Sequence, residues 1–205
     1  MDNVWILGSD ELPAPHKEFD LAVWAVTEQP AEAKARSWAG WSDTPLVLGD
    51  IDAGRILAFT AAPQPWRGAD VAVGSGKIWR WGQRYIAWLP VGDVLVPEIP
   101  RALSLAGVEL IIVSDPHTYP TPYMDPLWRV VQSEQIFGLS LAALPRFYMP
   151  CELDPDQVGV GDVHPLSCGH SVQIDFSRLA EVQRIMPLKA GFRPDLYCQL
   201  SWWRS

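Results

Sequence analysis

YIAWLPVGDVLVPEIPRALSLAGVELIIVSD, residues 85–115, reads as an apolar strand, a tight turn, a helix and a second apolar strand. Tyr85 to Val91 and Val108 to Val113 are runs of β-branched, aromatic and aliphatic residues, too uniformly apolar for a sheet with one wet face. Pro97 suits a first helical turn, and Gly107 closes the helical stretch Glu98 to Ala106 as a C-terminal cap. The stretch looks like the centre of an enzyme, in which a nucleophile would be expected at the end of the first strand. Here that position is Val91.

Outward from this unit, further apolar runs predict strands at Val4 to Leu7, Leu21 to Val26, Leu46 to Leu48, Arg55 to Thr60, Ile136 to Ala142 and Ser171 to Ile174. Helices are predicted at Ala31 to Trp41 after Pro30, at Leu127 to Gln135 after Pro126, and at Phe176 to Ile185 between Asp175 and Pro187. Alternating strand and helix argues for a layered α/β domain. Pro and Gly cluster at Pro63 to Gly76 and at Asp154 to Gly169, which predicts loops, and SGKIWRW around Lys77 reads as a solvent-side loop. Neither cluster has the composition of a linker, so residues 1–205 are expected to form a single domain.

The chain has 205 residues, enough to bury a core without disulfides or metals as staples. Sixteen Lys and Arg against twenty-four Asp and Glu give a net charge of -8, which opposes binding to nucleic acid through counterion release. Apolar runs are too short to cross a bilayer, and the first thirty residues lack a basic segment followed by an apolar one, so a cytoplasmic protein without a membrane partner is expected. Three cysteines in such a chain argue against a disulfide framework. Eleven tryptophans suggest a contact surface, because Trp covers core edges and anchors interfaces.

In its order of pieces the sequence resembles the nitrilase superfamily, the carbon-nitrogen hydrolases. VGDVLVPEIPRALSLAGVELIIV keeps that family's frame after the nucleophile: Asp93, Pro97, Glu98, Arg101, Gly107 and the strand beyond. PLWRVVQSEQIFGLSLAAL resembles the helix that carries a tryptophan and a glutamate, here Trp128 and Glu134, with the next core strand. FYMPCELDPDQVGV resembles the segment that holds a small hairpin, and VQIDFSRLAEVQRIMPLKAGFRPDLY resembles the closing strand, helix and Arg-x-Asp-Leu-Tyr ending. DLAVWAVTE and TPLVLGD resemble the second and third strands. The likeness is best supported over residues 82–197 and implies a four-layer α-β-β-α sandwich of the nitrilase type, here shortened, and commonly paired with a second such sandwich.

That family's reaction needs a thiolate to attack the amide or nitrile carbon, a carboxylate to take the thiol proton, and an ammonium to hold the oxyanion. The resemblance puts Val26 at the carboxylate position and Val91 at the thiol, and valine supplies neither group. Lys77, Glu28, Glu11 and Cys151 are the residues that a displaced triad would have to use, each with a bland alternative as a surface charge, a helix cap or a structural cysteine. Trp88, Asp93, Glu98 and His117 are candidates to line or brace the old pocket, Asp93 and Glu98 chiefly by holding the turn and helix start. HPLSCGH brings His164, Cys168 and His170 together, with Cys151 as a fourth soft ligand. Their spacing matches no common zinc pattern, so no metal and no cofactor are expected.

The sequence therefore predicts a catalytically inactive nitrilase-like protein that acts as a binding, assembly or regulatory subunit. Its partner would be a protein or an active paralogue, in a homodimer or heteromer, with Trp128, Trp202 and Trp203 as interface candidates. Two rivals follow from the same residues: an active amide or nitrile hydrolase with a displaced triad, and a small-molecule binder that uses the vacant pocket.

Overall fold

A computed structural model describes residues 2–7, 21–26, 46–50, 55–59, 69–73, 76–81, 83–115, 117–141, 145–151, 153–154, 157–158, 163–166, 171–185 and 187–188. A five-stranded sheet has the order β14-β1-β2-β3-β4. Its strands are β1 (Asp2–Leu7), β2 (Leu21–Val26), β3 (Leu46–Asp50), β4 (Arg55–Phe59) and β14 (Ser171–Ile174). The second sheet, of seven strands, runs β13-β10-β9-β8-β7-β6-β5. It consists of β5 (Ala69–Val73), β6 (Gly76–Trp81), β7 (Arg84–Pro90), β8 (Val108–Ser114), β9 (Phe137–Leu141), β10 (Arg146–Tyr148) and β13 (Val163–Pro165). Leu153–Asp154 and Gln157–Val158 form a small hairpin of their own.

β7, β8 and β9 are parallel, joined by helices that cross over the outer face of their sheet. Because side chains alternate along a strand, each buried strand feeds two cores. Ile86 and Trp88 of β7, with Leu110 and Ile112 of β8, face Val4, Leu21, Val23 and Ile174 of the other sheet. Ala87, Leu89, Ile111 and Val113 point the other way, to Leu103 of the Glu98–Leu105 helix and Leu127, Val130 and Val131 of the Pro126–Glu134 helix. Helix, sheet and sheet are thus three consecutive layers. The expected helix at Ala31 to Trp41 lies outside the described residues.

Helix ends follow the local sequence signals. Asp125 caps the Pro126–Glu134 helix by accepting from the Leu127 N–H at 2.9 Å, and Pro126 takes the first position, which needs no donor. Gly107 adopts φ +90° directly after the Ala106 cap, a conformation that penalises any side chain.

Three expectations are corrected. Lys77 does not lie in a solvent-side loop, because GKIWRW is β6 and pairs with β7 over Lys77↔Trp88 to Trp81↔Arg84. The stretch Pro63 to Gly76 contains β5, and Asp154 to Gly169 contains β13 and parts of the hairpin. In each case the ladder to a neighbouring strand satisfies the backbone, and this outweighs the local Pro and Gly signals.

Candidate functional site

The turn at residues 90–97 sits at the C-terminal end of β7, where Pro90 lies beside Ser114 in register. The strand stops one residue earlier than its apolar run suggests. Val91 opens a four-residue helix, Val91–Val94, whose tightness comes from Leu95 N–H donating to Val91 O and Val96 N–H to Asp93 O, both at 3.2 Å. Val91 is half-buried and packs against the helix-side core alongside Ile99. Asp93 is half-buried in this turn and Glu98 is exposed in the first turn of its helix, where the unpaired N–H groups favour a carboxylate.

Trp88 is 1% exposed and fills the space between the two sheets, its indole N–H donating to Ser114 Oγ at 3.0 Å. Trp88, on β7, faces the inter-sheet core, whereas Val91, in the short helix after the strand, packs on the helix layer. The two do not share a wall.

Beyond β8 the chain builds a polar cluster that the sequence reading missed apart from His117. Asp115, wholly buried, accepts at Oδ1 from the His117 backbone N–H (2.8 Å) and at Oδ2 from the Tyr119 hydroxyl (2.8 Å). His117 Nδ1 lies 2.7 Å from the same Oδ1. The imidazole itself is 67% exposed. Arg146 donates to the Tyr119 carbonyl at 2.9 Å. Asp125, also buried, accepts from the Tyr148 hydroxyl at 2.7 Å in addition to the helix N–H.

Burial raises the Asp125 carboxyl above its ordinary value of 3.8, and the nearby Asp115 charge adds to the rise, while the bonds from Tyr148 and Leu127 work against it. Both phenols are likewise raised, first by burial and then by their carboxylate partners. A proton leaves neither tyrosine readily, and each carboxylate is occupied by donors. This arrangement anchors the connection from β8 to the Pro126–Glu134 helix. The signal available in the sequence was an acid at each end of that connection: Asp115 directly after an apolar strand and Asp125 directly before Pro126.

A second feature lies between the Val91–Leu105 turn and helix and the Pro126–Glu134 helix. It is a groove of about 620 Å³ whose walls include Trp128, Arg101 and Glu134. Trp128 is half-buried, with Tyr123 packed edge-on at 5.3 Å between ring centroids. Arg101 Nε donates to the buried Glu134 carboxylate at 2.5 Å, tying the two helices together.

The remaining candidates are scattered. Cys151 is half-buried, and its backbone N–H donates to Gln132 Oε1 at 2.7 Å; Gln132 also donates to the Met149 carbonyl at 3.0 Å and so clamps the chain after β10. His164 is exposed on β13 and stacks on Phe147 at 6.3 Å. Val26 ends β2 opposite Asp50 of β3. Glu11, Glu28, Cys168, His170, Trp202 and Trp203 lie outside the described residues. Among the described residues, no three His, Cys, Asp or Glu side chains converge as a metal site, and no helix is long and apolar enough to cross a membrane.

This arrangement of sheets and helices matches solved carbon-nitrogen hydrolases. XC1258 from Xanthomonas campestris, a CN-hydrolase superfamily protein, superposes with a TM-score of 0.55 at 14% identity, over 88% of this chain and 87% of its own. The NitN amidase from Nesterenkonia sp. AN1 gives 0.55 at 14% identity, over 98% of this chain and 100% of its own. No protein-family profile and no curated protein matches the sequence. At this identity the likeness defines a class of architecture: a nitrilase-type α/β sandwich.

Proposed function

We propose that this chain is a nitrilase-fold protein without hydrolase activity, serving as a binding, assembly or regulatory subunit for a protein partner. One observation carries the reading: the turn after β7 holds Val91, a hydrocarbon packed against the helix layer. In a mutant of the Nesterenkonia amidase, the acetamide moiety of fluoroacetamide is covalently added at the active-site cysteine. A valine side chain has no electron pair to offer an amide carbon. Trp88 and Val91 pack into different cores, which favours a scaffold role over a ligand held in a pocket that both would line. Trp128, half-buried on the outer helix layer, is the described one of the three interface candidates, for a homodimer or for a heteromer with an active relative.

Fold neighbours that are named amidases favour a second reading, an active amidase that recruits Cys151 with Glu28 or Glu11 and Lys77. One assay separates the two. Ammonia release from butyramide, a compound bound in one structure of the Nesterenkonia amidase, is expected to stay at the buffer rate with the purified chain. Turnover that Cys151→Ser abolishes would replace the first reading by the second. For the subunit role, native mass spectrometry of the protein purified at its natural level is expected to give a defined stoichiometric complex, and a bare monomer would remove that part of the proposal.

A further inference from the structure

We propose that His117 is a phosphoryl acceptor: its Nε2 takes the phosphoryl group of an acyl phosphate, and the buried Asp115 carboxylate holds the imidazole for the transfer. The inference goes beyond the subunit reading and is independent of it, since it uses neither Val91 nor the outer helix layer.

β8 ends at Ser114, which lies beside Pro90 of β7 and Leu141 of β9 in a run of three parallel strands. The carboxyl ends of such strands are where α/β sheets present reactive and ligand-binding groups. Asp115 follows directly and is wholly buried, which costs stability unless donors surround its charge. Oδ2 accepts from the Tyr119 hydroxyl, while Oδ1 accepts from the His117 backbone N–H and lies against the ring at Nδ1. Tyr119 is fixed from its other side as well, because Arg146 Nη2 donates to its carbonyl at 2.9 Å. The imidazole therefore rests on a carboxylate that is held in place, while 67% of the His117 side chain meets solvent.

With Nδ1 at 2.7 Å from Asp115, Nε2 points away from the carboxylate, and among the described residues it has no hydrogen-bond partner. One nitrogen on an orienting acid and the other presented is the arrangement of a histidine nucleophile. In the reactive form the proton sits on Nδ1 and the lone pair on Nε2. That pair attacks phosphorus and forms the N–P bond. The P–O bond to the acyl oxygen breaks, and the carboxylate leaves with its electron pair. The ring is then a cation whose Nδ1–H stays on Asp115, so the buried charge is answered most strongly in the product. Arg146 brings a positive charge to the cluster, against the repulsion that a dianionic donor meets from a chain of net charge -8.

A metal ion is a poorer partner for this imidazole. Both Asp115 oxygens already accept, and among the described residues no three His, Cys, Asp or Glu side chains converge, so His117 would hold the ion alone. His164 supplies the internal comparison: it is exposed too, but it stacks on Phe147.

The test treats the full chain with acetyl phosphate and follows it by peptide mass spectrometry, with nitrogen–phosphorus NMR couplings to assign the modified nitrogen. One phosphoryl group is expected on His117 Nε2, stable in base and lost in acid, and formed at least about ten-fold faster than on His164. His117→Gln is expected to remove it, and Asp115→Asn to slow it about ten-fold. Because Asp115 also holds the chain after β8, Tyr119→Phe is the second variant. It removes the hydroxyl bond to Asp115, leaves the Nδ1 contact, and is expected to keep most of the rate. Five outcomes would overturn the proposal: no phosphoryl group on His117, equal rates at His117 and His164, modification of Nδ1, a wild-type rate in Asp115→Asn, or a Tyr119→Phe variant as slow as Asp115→Asn. The last would mean that order of the loop, and not the carboxylate, sets the reactivity. None of these readouts depends on amide turnover or on a protein partner.

Discussion

Gly138 of β9 is a position where the absence of a side chain sets the distance between two layers. A Cβ there would come within 2.5 Å of Val131 Cγ2 and 3.0 Å of Leu127 Cγ, so the Pro126–Glu134 helix rests directly on the strand backbone. Gly138→Ala must push that helix outward or force its side chains off their rotamers. A loss of about 1–3 kcal/mol in urea unfolding is expected, with an unchanged m-value. Asp125 makes a different prediction, because its folded-state carboxyl is raised above the ordinary 3.8 by burial. For a raised group the contribution to stability is full below the unfolded value and is lost as pH rises through the folded one. Asp125→Asn keeps an acceptor for Leu127 N–H and removes the titration. The stability of wild type relative to this variant is therefore expected to grow as pH falls from about 7 towards about 4, in melting temperatures measured across that range. A constant difference would mean that Asp125 carries no proton linkage.

Among elements, the two outer helices depend on an ion pair more than on their own propensity. The Glu98–Leu105 helix has eight residues and the Pro126–Glu134 helix nine, lengths that are marginal in isolation. Arg101 and Glu134 join them, with the Glu134 side chain only 4% exposed and the Ser104 hydroxyl donating to the Glu134 carbonyl at 3.1 Å. Glu134→Gln keeps the shape and removes the charge that answers Arg101. The expected cost is about 3 kcal/mol by denaturant unfolding, and Arg101→Met in the same background should return part of it. If the single variant loses less than about 0.5 kcal/mol, the pair is a surface contact in effect, and packing alone positions the helices.

At the scale of the whole molecule, the fold was legible wherever an apolar run is bounded by a clear helix or turn signal. Residues 85–115 announce a strand, turn, helix and parallel strand because Pro97 and Gly107 punctuate two apolar runs, and Asp125–Pro126 announces the next helix in the same way. β5, β6, β10 and β13 were not legible. Pro and Gly signal a turn locally, while membership of a sheet depends on a partner strand; Lys77 reads as a loop residue until β7 is laid beside it. The same limit applies to the candidate site. Val91 could be named from the sequence as the position that lacks a nucleophile. That Trp88 and Val91 serve different cores follows from the end of β7 at Pro90, after which Val91 turns into a short helix on the outer layer, and the core that Trp88 fills exists only once the second sheet is in place.

By itself the sequence determined the order of strands and helices from residue 84 to 141, the caps that end them, and the replacement of a reactive side chain by hydrocarbon at residue 91, because these are local facts of residue type and spacing. Only the tertiary structure decided which side chains meet. Asp125 with Tyr148 and Arg101 with Glu134 are products of the packing of helices across a sheet, between residues more than twenty positions apart, and chain spacing carries no information about such pairs.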